Sequence, residues 1–296
     1  MNWQTAALIS AVGFAVKGFS TKAACRAAGE FSGRSFELGL MAWTTLFSAI
    51  LMAAVRILLP APIALQDPAS FSKILLLCVF GAVLANFCYF KAIRHAPLSI
   101  AMPIFSLSPV FMILTSRWML GETASAAGMA GIFSTAAGVA ILYGGQEGSE
   151  IERTRFRSGF LYAVSTALIW SVTANLDKRA VSLSDPFLYP AVVQFLLSIV
   201  YFAAIPRISP GILSGVVRNA SVLKWVALAS VSDVIVLGSQ MTAILQTHVA
   251  YVIAIKRSGA ILAVILGWRV FGERQVLRRI AGCLLIVAGV AVLLVM

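Results

Sequence analysis

Long apolar segments follow one another along nearly the whole chain, and they constrain the fold more than any other feature. Of the 296 residues, 60% are hydrophobic and only 11% are charged, whereas a soluble domain carries about 25% charged residues. A helix that crosses the hydrocarbon core of a bilayer needs roughly 20 apolar residues. Because the period-two alternation of a membrane β-barrel is absent, we expect an all-α membrane protein.

Ten segments have the length and composition of a transmembrane helix. In chain order they are residues 3–21, 38–59, 74–93, 99–120, 125–143, 159–176, 187–205, 222–245, 249–271 and 279–296. We refer to these predicted segments as spans 1 to 10.

The chain also repeats itself. The segment GETASAAGMAGIFSTAAGVAIL, residues 121–142, aligns without gaps with GERQVLRRIAGCLLIVAGVAVL, residues 272–293. The alignment predicts a duplicated unit of five spans, with one repeat in residues 1–143, a polar linker in 144–158 and the second repeat in 159–296. Since five is an odd number, the second repeat enters the membrane upside down, which is the inverted-repeat architecture of secondary transporters.

Basic residues outnumber acidic ones, with 23 Lys and Arg against 11 Asp and Glu. They are dispersed between apolar segments, so we do not expect nucleic acid as a partner. Most lie in loops after odd-numbered spans, and the positive-inside rule then predicts that both termini lie outside the cytoplasm. We expect a multi-pass protein of the inner cell membrane, a monomer or a weak dimer, without a cofactor or metal. The four cysteines lack CxxC spacing, which predicts ordinary helix packing.

Charged residues in the middle of spans are the main functional candidates, because each costs roughly 2.5 to 3.5 kcal/mol on insertion. They are Lys17, Asp233, Lys256 and Arg257. None has a charged counterpart in the other repeat, since the aligned residues are, in the same order, Trp170, Ala82, Phe105 and Ser106. This asymmetry favours substrate binding over a structural role. Asp233, the only central acid that the span boundaries predict, either pairs with a cation or takes up a proton during transport.

Polar residues at similar depth extend the predicted site. Arginine offers a planar fork to a carboxylate or phosphate and lysine a compact charge, so the adjacent pair fits an anionic or zwitterionic ligand. Candidate hydrogen-bonding residues are Asn86, Tyr89, Gln240, Ser171 and Asn175, with bonds between helices as the alternative role. Pro103 and Pro109 in span 4 predict a hinge beside the cavity or a static kink. Glu122 and Glu273 precede helices and predict caps or a gate.

Ten spans in two halves, each with a Gly-Glu turn followed by AGVAIL or AGVAVL, resemble the EamA family of the drug/metabolite transporter superfamily. The resemblance implies alternating access and the export of amino acids or other metabolites. The segment IKRS, residues 255–258, is similar to the span-9 Lys-Arg pair with which triose-phosphate translocators hold phosphate. For Lys256 and Arg257 this similarity implies contact with an anionic group, although span 4 lacks the further lysine of those translocators.

The sequence therefore predicts a secondary transporter, an exporter or exchanger, of a small anionic or zwitterionic metabolite such as an amino acid, organic acid or phosphorylated compound. Protons or a counter-substrate are the coupling partners to be expected. An exporter of cationic or neutral drugs and a non-transporting scaffold or sensor stay open as alternatives. An enzyme is not expected, because the spans contain no paired carboxylates, Ser/His arrangement or metal-ligand motif.

Overall fold

A computed structural model of the chain describes residues 1–28, 36–59, 65–95, 104–105, 107–143, 150–208, 211–259, 261–262 and 276–295, and these form helices joined by turns, with no strand among them. The helices are α1 Trp3–Ala27, α2 Phe36–Leu58, α3 Pro68–His95, α4 Ser108–Leu120, α5 Ala126–Tyr143, α6 Glu150–Ser182, α7 Leu188–Ile208, α8 Ile212–Arg218, α9 Ala220–Ile244, α10 Val249–Arg257 and α11 Val276–Val295.

Five of these helices contain segments long and apolar enough to cross a membrane. The segments are Leu38–Leu58, Pro68–Tyr89, Gly159–Ser182, Leu188–Ile205 and Ala220–Ile244, which correspond to spans 2, 3, 6, 7 and 8. Shorter apolar helices, Ala126–Ile141 and Ala281–Val295, lie within spans 5 and 10. The helix α1 contains span 1, and α4 and α10 cover parts of spans 4 and 9.

Large apolar side chains cover much of the outer surface. Leu58 is 83% exposed and Trp118 is 90% exposed, and Leu76, Phe80 and Phe87 of α3 are also exposed. Soluble monomers rarely expose contiguous apolar patches of this extent. Because a bilayer solvates such side chains, the surface and the long apolar helices together describe an all-α, multi-pass membrane protein.

The helices pack in pairs that join the two halves of the chain. One pair is α1 with α9, and a second is α3 with α6. The helices α2 and α7 form a third pair, and α5 and α11 form a fourth. Exchanging each span for its counterpart in the other repeat converts the pair of α1 with α9 into the pair of α6 with α3. In the other two pairs, each helix is the counterpart of its own partner.

Glycine allows the close approach of α5 and α11. A Cβ atom at Gly138 would lie 2.6 Å from the carbonyl oxygen of Gly282, and one at Gly289 would lie 2.6 Å from that of Gly131. No side chain fits at these distances, so the two backbones are in direct contact, as in other membrane helix pairs with small interface residues. These four residues are the aligned glycines of the two repeats, which explains why both repeats carry them.

Both ends of α6 in the structure differ from the boundaries that the sequence predicts. Span 6 was expected to end at residue 176, whereas α6 continues to Ser182 and includes Asp177. Because the NLDKR segment contains three charged residues, its composition predicts a loop. The same helix begins at Glu150, so most of the predicted polar linker is helical.

Span 4 is interrupted where the sequence predicts a hinge or kink. The helix α4 begins at Ser108, and Pro109 lies in its first turn, where the backbone N–H that proline lacks has no helical partner to lose. Pro109 therefore lies in the first turn of a helix, and the hinge or kink at this residue stays a prediction. Pro103 lies outside the described residues, and a hinge at the interruption stays a prediction.

Candidate functional site

An ion pair joins α1 to α9. Lys17 Nζ donates to Asp233 Oδ1, and Gln194 Nε2 of α7 donates to Asp233 Oδ2 at 2.5 Å. Asp233 is 2% exposed, whereas the Lys17 side chain is 36% exposed. Each carboxylate oxygen therefore has a donor, which offsets the cost of burying the charge. Of the two roles predicted for Asp233, the structure shows the pairing with a cation, and proton uptake stays a prediction.

Lys256 and Arg257 form the last two residues of α10, and neither is paired with a carboxylate in the described part of the chain within the 4.0 Å limit of an ion pair. Lys256 Nζ donates to Gln240 Oε1 at 2.6 Å, and an Nη of Arg257 donates to Ser108 Oγ at 3.1 Å. The Nε of Arg257 is buried and has no hydrogen-bond partner among the residues that the structure describes. Among the described residues, both predicted cations thus donate hydrogen bonds to neutral side chains only.

Two aromatic rings lie beside the two cations. The ring centroid of Phe14 lies 5.3 Å from Lys256 Nζ and 5.8 Å from the guanidinium carbon of Arg257. Trp170 lies 5.1 Å from the same carbon. Cation–π contacts of this length are favourable, and more so when water is excluded.

Trp170 belongs to a cluster of three rings. Its centroid lies 5.9 Å from that of Tyr89 and 5.5 Å from that of Phe105, and the last two are 5.0 Å apart. Trp170 and Phe105 are the residues aligned with Lys17 and Lys256 in the other repeat. One wall of the site is therefore cationic, and the aligned wall is aromatic.

A cavity of about 200 Å³ lies between α3, α6, α7 and α9. Its polar lining comprises Asn86, Thr173, Asp177, Tyr189 and Gln194. Its other lining residues are Cys78, Ala82, Trp170, Pro190, Val193, Leu197, Leu237 and Met241. Trp170 lines the cavity and contacts Arg257, and Gln194 lines the cavity and bonds to Asp233, so two lining residues join the cavity to these charges.

Asp177 is a second acid of this region. Tyr189 Oη donates to its Oδ1, and the Cys78 thiol lies within hydrogen-bonding reach of both side chains. No Lys, Arg or His of the described residues lies within 4.0 Å of the Asp177 carboxylate. The expectation that Asp233 is the only central acid is wrong, because α6 extends beyond the predicted boundary and brings Asp177 to the cavity.

The hydrogen-bonding candidates divide between the site and the helix contacts. Asn86 lines the cavity and donates to Tyr201 Oη, and Gln240 accepts from Lys256. Tyr89 belongs to the aromatic cluster.

Asn175 and Ser171 join α4 to α6 instead. Asn175 Nδ2 donates to Thr115 Oγ1 at 2.9 Å, and its Oδ1 accepts from Ser116 Oγ at 2.7 Å. Ser171 Oγ donates to the carbonyl of Leu168 within α6 at 2.7 Å, and its own carbonyl oxygen accepts from Thr115 Oγ1 at 3.3 Å. The structure does not bring these two polar groups to the cations. Asn175 makes the interhelical bonds that were the alternative prediction, whereas the Ser171 hydroxyl bonds within its own helix.

Glu122 caps a helix of the other half of the chain. Its Oε2 accepts from the backbone N–H of Val249 at 3.1 Å, at the start of α10. Its Oε1 accepts from Lys178 Nζ at 2.6 Å. The predicted cap is therefore present, although the capped helix is α10 and not the helix that follows Glu122. Glu273 lies outside the described residues, and gating stays a prediction.

Sequence reasoning missed several residues of the site that carried recognisable signals. Asp177 follows Trp170 by seven residues, which is two helical turns on one face. Gln194 is the one amide in an otherwise apolar run of span 7, and Phe14 precedes Lys17 by three residues. Tyr189 and Cys78 gave no such signal, because only packing brings them to Asp177.

Comparisons with known proteins agree with this architecture. The model of the EamA-like transporter family matches residues 1–144 and 157–295. One crystal structure superposes with a TM-score of 0.76 over 97% of this chain and 96% of the other chain. Its sequence identity of 21% shows a common fold and nothing about the substrate.

Two curated relatives match shorter parts of the chain. A segment of 94 residues, 32% of this chain, is 32% identical to a protein of Ancylobacter novellus named aromatic amino acid exporter YddG and covers 33% of it. A segment of 152 residues, 48% of this chain, is 30% identical to a protein of Archaeoglobus fulgidus described as an uncharacterized transporter and covers 51% of it. The matches thus span a third and about half of these relatives. On the family match across both halves, the chain belongs to the EamA-like transporter family.

Proposed function

We propose that the protein is a secondary exporter of a small zwitterionic or anionic metabolite, whose acidic group binds beside Lys256 and Arg257. The observation that carries this proposal is the state of Arg257. Its Nε is buried without a partner, and its guanidinium has no carboxylate partner among the described residues. A buried donor without an acceptor is costly, and a carboxylate or phosphate that bound the guanidinium fork would supply two acceptor oxygens.

The charge balance of the region also favours an anionic group. Lys256 interacts electrostatically with Lys17, Arg257, Asp233 and Asp177. Three cations therefore face two acids, and this excess of positive charge favours a ligand whose acidic group binds beside the cations. A purely cationic drug would meet an unneutralised guanidinium instead, so this geometry disfavours the alternative of a cationic substrate.

Amino acids are the substrate class that we favour. The rings of Trp170, Tyr89 and Phe105 offer an apolar wall next to the cations. One relative is named for the export of aromatic amino acids. Aliphatic organic acids and aliphatic phosphorylated compounds also carry an anionic group, and they differ from an aromatic amino acid in having no ring to stack on this wall.

Alternating access is the mechanism we propose, with ten spans in two inverted repeats, residues 1–143 and 159–296, around the central site. Its support is the pairing of the helices, since the contacts of α1 with α9 and of α3 with α6 exchange when the repeats are exchanged. The family model also matches the two halves separately. The distribution of Lys and Arg supports an inner-membrane location with both termini outside the cytoplasm.

Transport by purified protein in liposomes tests the proposal. Liposomes loaded with radiolabelled L-phenylalanine, and in parallel with an organic acid and a phosphorylated metabolite, are assayed for efflux. We expect Arg257→Gln to lower the initial rate at least about tenfold, because a charge-assisted hydrogen bond contributes about 1.5 to 3 kcal/mol. Arg257→Lys keeps the charge without the fork and should give an intermediate rate.

The matched control is Arg117→Gln, because Arg117 is exposed on α4; its rate should stay within about twofold of the wild-type rate. Wild-type efflux by Arg257→Gln would remove this residue from the site. A protein that moves none of the anionic or zwitterionic compounds would favour the scaffold or sensor.

A further inference from the structure

Asp177 points to a second part of the same site, an inference that rests on the proposed function. We propose that the cavity beside Trp170 binds the protonated amino group of the substrate, and that the Asp177 carboxylate is the group that recognises it. The ligand class is a small metabolite with a primary amine and an apolar or aromatic body.

The partners of Asp177 distinguish it from the other partly or fully buried acids of the described chain. Asp233 pairs with Lys17, Asp185 with Arg56 at 2.6 Å, and Glu122 with Lys178 at 2.6 Å. Asp177 has the hydroxyl of Tyr189 and the thiol of Cys78, both neutral. A carboxylate held among neutral donors in a low-dielectric region favours a cation that can approach it.

The cavity has the space and the lining for that cation's apolar body. It measures about 200 Å³, and Val193, Leu197, Leu237 and Met241 form much of its wall. An apolar cavity of roughly 150 Å³ in another protein holds a benzene molecule. An amine with a ring or a branched chain therefore fits, with its ammonium group at Asp177 and the ring of Trp170 beside it.

Trp170 also relates this cavity to the cations. It lines the cavity, and its ring lies 5.1 Å from the guanidinium carbon of Arg257. Asp177 follows it by two turns of α6, a rise of about 10 Å. Within the described residues, Asp177 lines the same cavity as Trp170 and has no cation partner, and Arg257 contacts the ring of Trp170 and has no acid partner. This arrangement suits a zwitterionic ligand.

A proton is the competing cation for this carboxylate. The groups that face Asp177 are Tyr189 from α7, Cys78 from α3 and, by electrostatic interaction, Lys256 from α10. A proton would neutralise the charge without using the apolar lining of the cavity. An amine uses both features, so we favour the amine and make the proton an outcome of the test.

Binding of single-charge probes to the full-length protein in detergent separates the two groups. The probes are phenethylamine, which has the ring and the amine, and 3-phenylpropionate, which has the ring and the acid. By calorimetry, Asp177→Asn should weaken phenethylamine binding at least about tenfold and leave 3-phenylpropionate binding within about twofold. Arg257→Gln should do the reverse. Asp67→Asn, at an exposed position, is the matched control and should bind both probes as the wild type does.

A second measurement uses the wild-type protein, so its result does not depend on whether the variants fold. Dicyclohexylcarbodiimide labels carboxyl groups that lie in apolar surroundings, and the label on Asp177 can be located by mass spectrometry. Phenethylamine should protect Asp177 from the label, and 3-phenylpropionate should not.

The outcomes separate the two proposals. Unchanged phenethylamine affinity in Asp177→Asn, or no protection of Asp177 in the wild type, overturns the amine site even if Arg257→Gln abolishes efflux. Loss of phenethylamine binding in Asp177→Asn with wild-type efflux in Arg257→Gln upholds the amine site and overturns the proposed function. If Asp177→Asn alters only the pH dependence of efflux, Asp177 carries a proton and the amine site is wrong.

Discussion

Asp233 and Asp177 lie in the same region and differ in what faces them. Asp233 receives an ammonium from α1 and an amide from α7, so both of its oxygens are bonded and its charge is balanced within the protein. Asp177 receives a hydroxyl and adjoins a thiol, and it faces a cavity. The comparison teaches that a buried acid holds helices together when a fixed cation neutralises it. An acid with neutral donors and a cavity beside it is the one for which we propose a ligand.

The cations show the same division. Lys17 is paired with Asp233, while Arg257 bonds to a serine hydroxyl and its Nε has no partner among the described residues. Lys17 and Asp233 are thus used within the protein, whereas the site that we propose uses Arg257 and Asp177. The predictions below test whether the two acids differ in the stability that they contribute.

The largest effect on stability should follow from Lys17→Met, which leaves the buried Asp233 without its cation. Removing one partner of a buried ion pair typically costs about 3 to 5 kcal/mol. We expect a loss near the lower end, because Gln194 still donates to the carboxylate and the Lys17 side chain is 36% exposed. Unfolding in mixed micelles of increasing denaturing-detergent fraction measures the free energy.

The matched control is Lys73→Met, at an exposed position of α3, and we expect a change within about 0.5 kcal/mol. The double variant Lys17→Met/Asp233→Leu should recover most of the loss, since it removes both charges. A single variant as stable as the Lys73→Met control would show that the ion pair does not hold α1 to α9.

A smaller loss should follow from Gln194→Leu. The amide supplies the second hydrogen bond to Asp233, and a bond to a charged group contributes about 1.5 to 3 kcal/mol. Gln246→Leu is the control, because Gln246 is exposed and its amide donates to a nearby backbone carbonyl, that of Thr242, at 3.1 Å. Equal unfolding free energies for the two glutamine variants would mean that Gln194 does not support the buried carboxylate.

Much of the fold was predictable because membrane helices are long and apolar by physical necessity. Gly138 and Gly289 were visible as repeated residues, and their role in the contact of α5 with α11 explains the repetition. The boundary of α6 was not predictable from hydropathy. A charged side chain can lie on a membrane helix when it has polar partners. Lys178 donates to Glu122 and to the carbonyl of Thr247.

The site was predictable only in part, for a related reason. Central charges such as Lys256 and Arg257 stand out against an apolar background, so their insertion cost alone identifies them. Asp177 did not stand out, because it borders a charged segment. Whether Asp233 or Asp177 would take a cation depended on which helices face each other, and a single sequence does not contain those pairings.

Asp177→Asn should lower the free energy of unfolding less than Lys17→Met or Gln194→Leu does. No buried cation loses its partner, and Tyr189 can still donate to the oxygen of the amide. We therefore expect the unfolding free energy to stay within about 1 kcal/mol of the wild-type value. A loss as large as that of Lys17→Met would mean that Asp177 is paired within the protein, and the distinction between the two acids would fail.

The smallest expected effect is at Asp67, an exposed acid outside the membrane-spanning segments. It extends the comparison of Asp233 with Asp177 to an acid in water. Its Oδ1 accepts from the backbone N–H groups of Ala69 and Ser70, both at 3.1 Å, at the start of α3. Hydrogen bonds from Ser70 hold the pKa of Asp67 below its usual value of 3.8. Because the folded pKa is depressed, the ionised cap stabilises α3 at pH values above 3.8, and this contribution is lost as the pH falls through the lower folded pKa.

Hydrogen exchange in the first turn of α3, followed from pH 5 to about pH 2 and corrected for intrinsic rates, checks this expectation. The wild-type protection should fall at the acidic end. Asp67→Asn should give a flat profile, because the amide oxygen caps the helix equally well and does not titrate in this range. Identical profiles for the two proteins would show that the charge of Asp67 contributes nothing beyond the hydrogen bonds, which is the limit that solvent screening sets for an exposed acid.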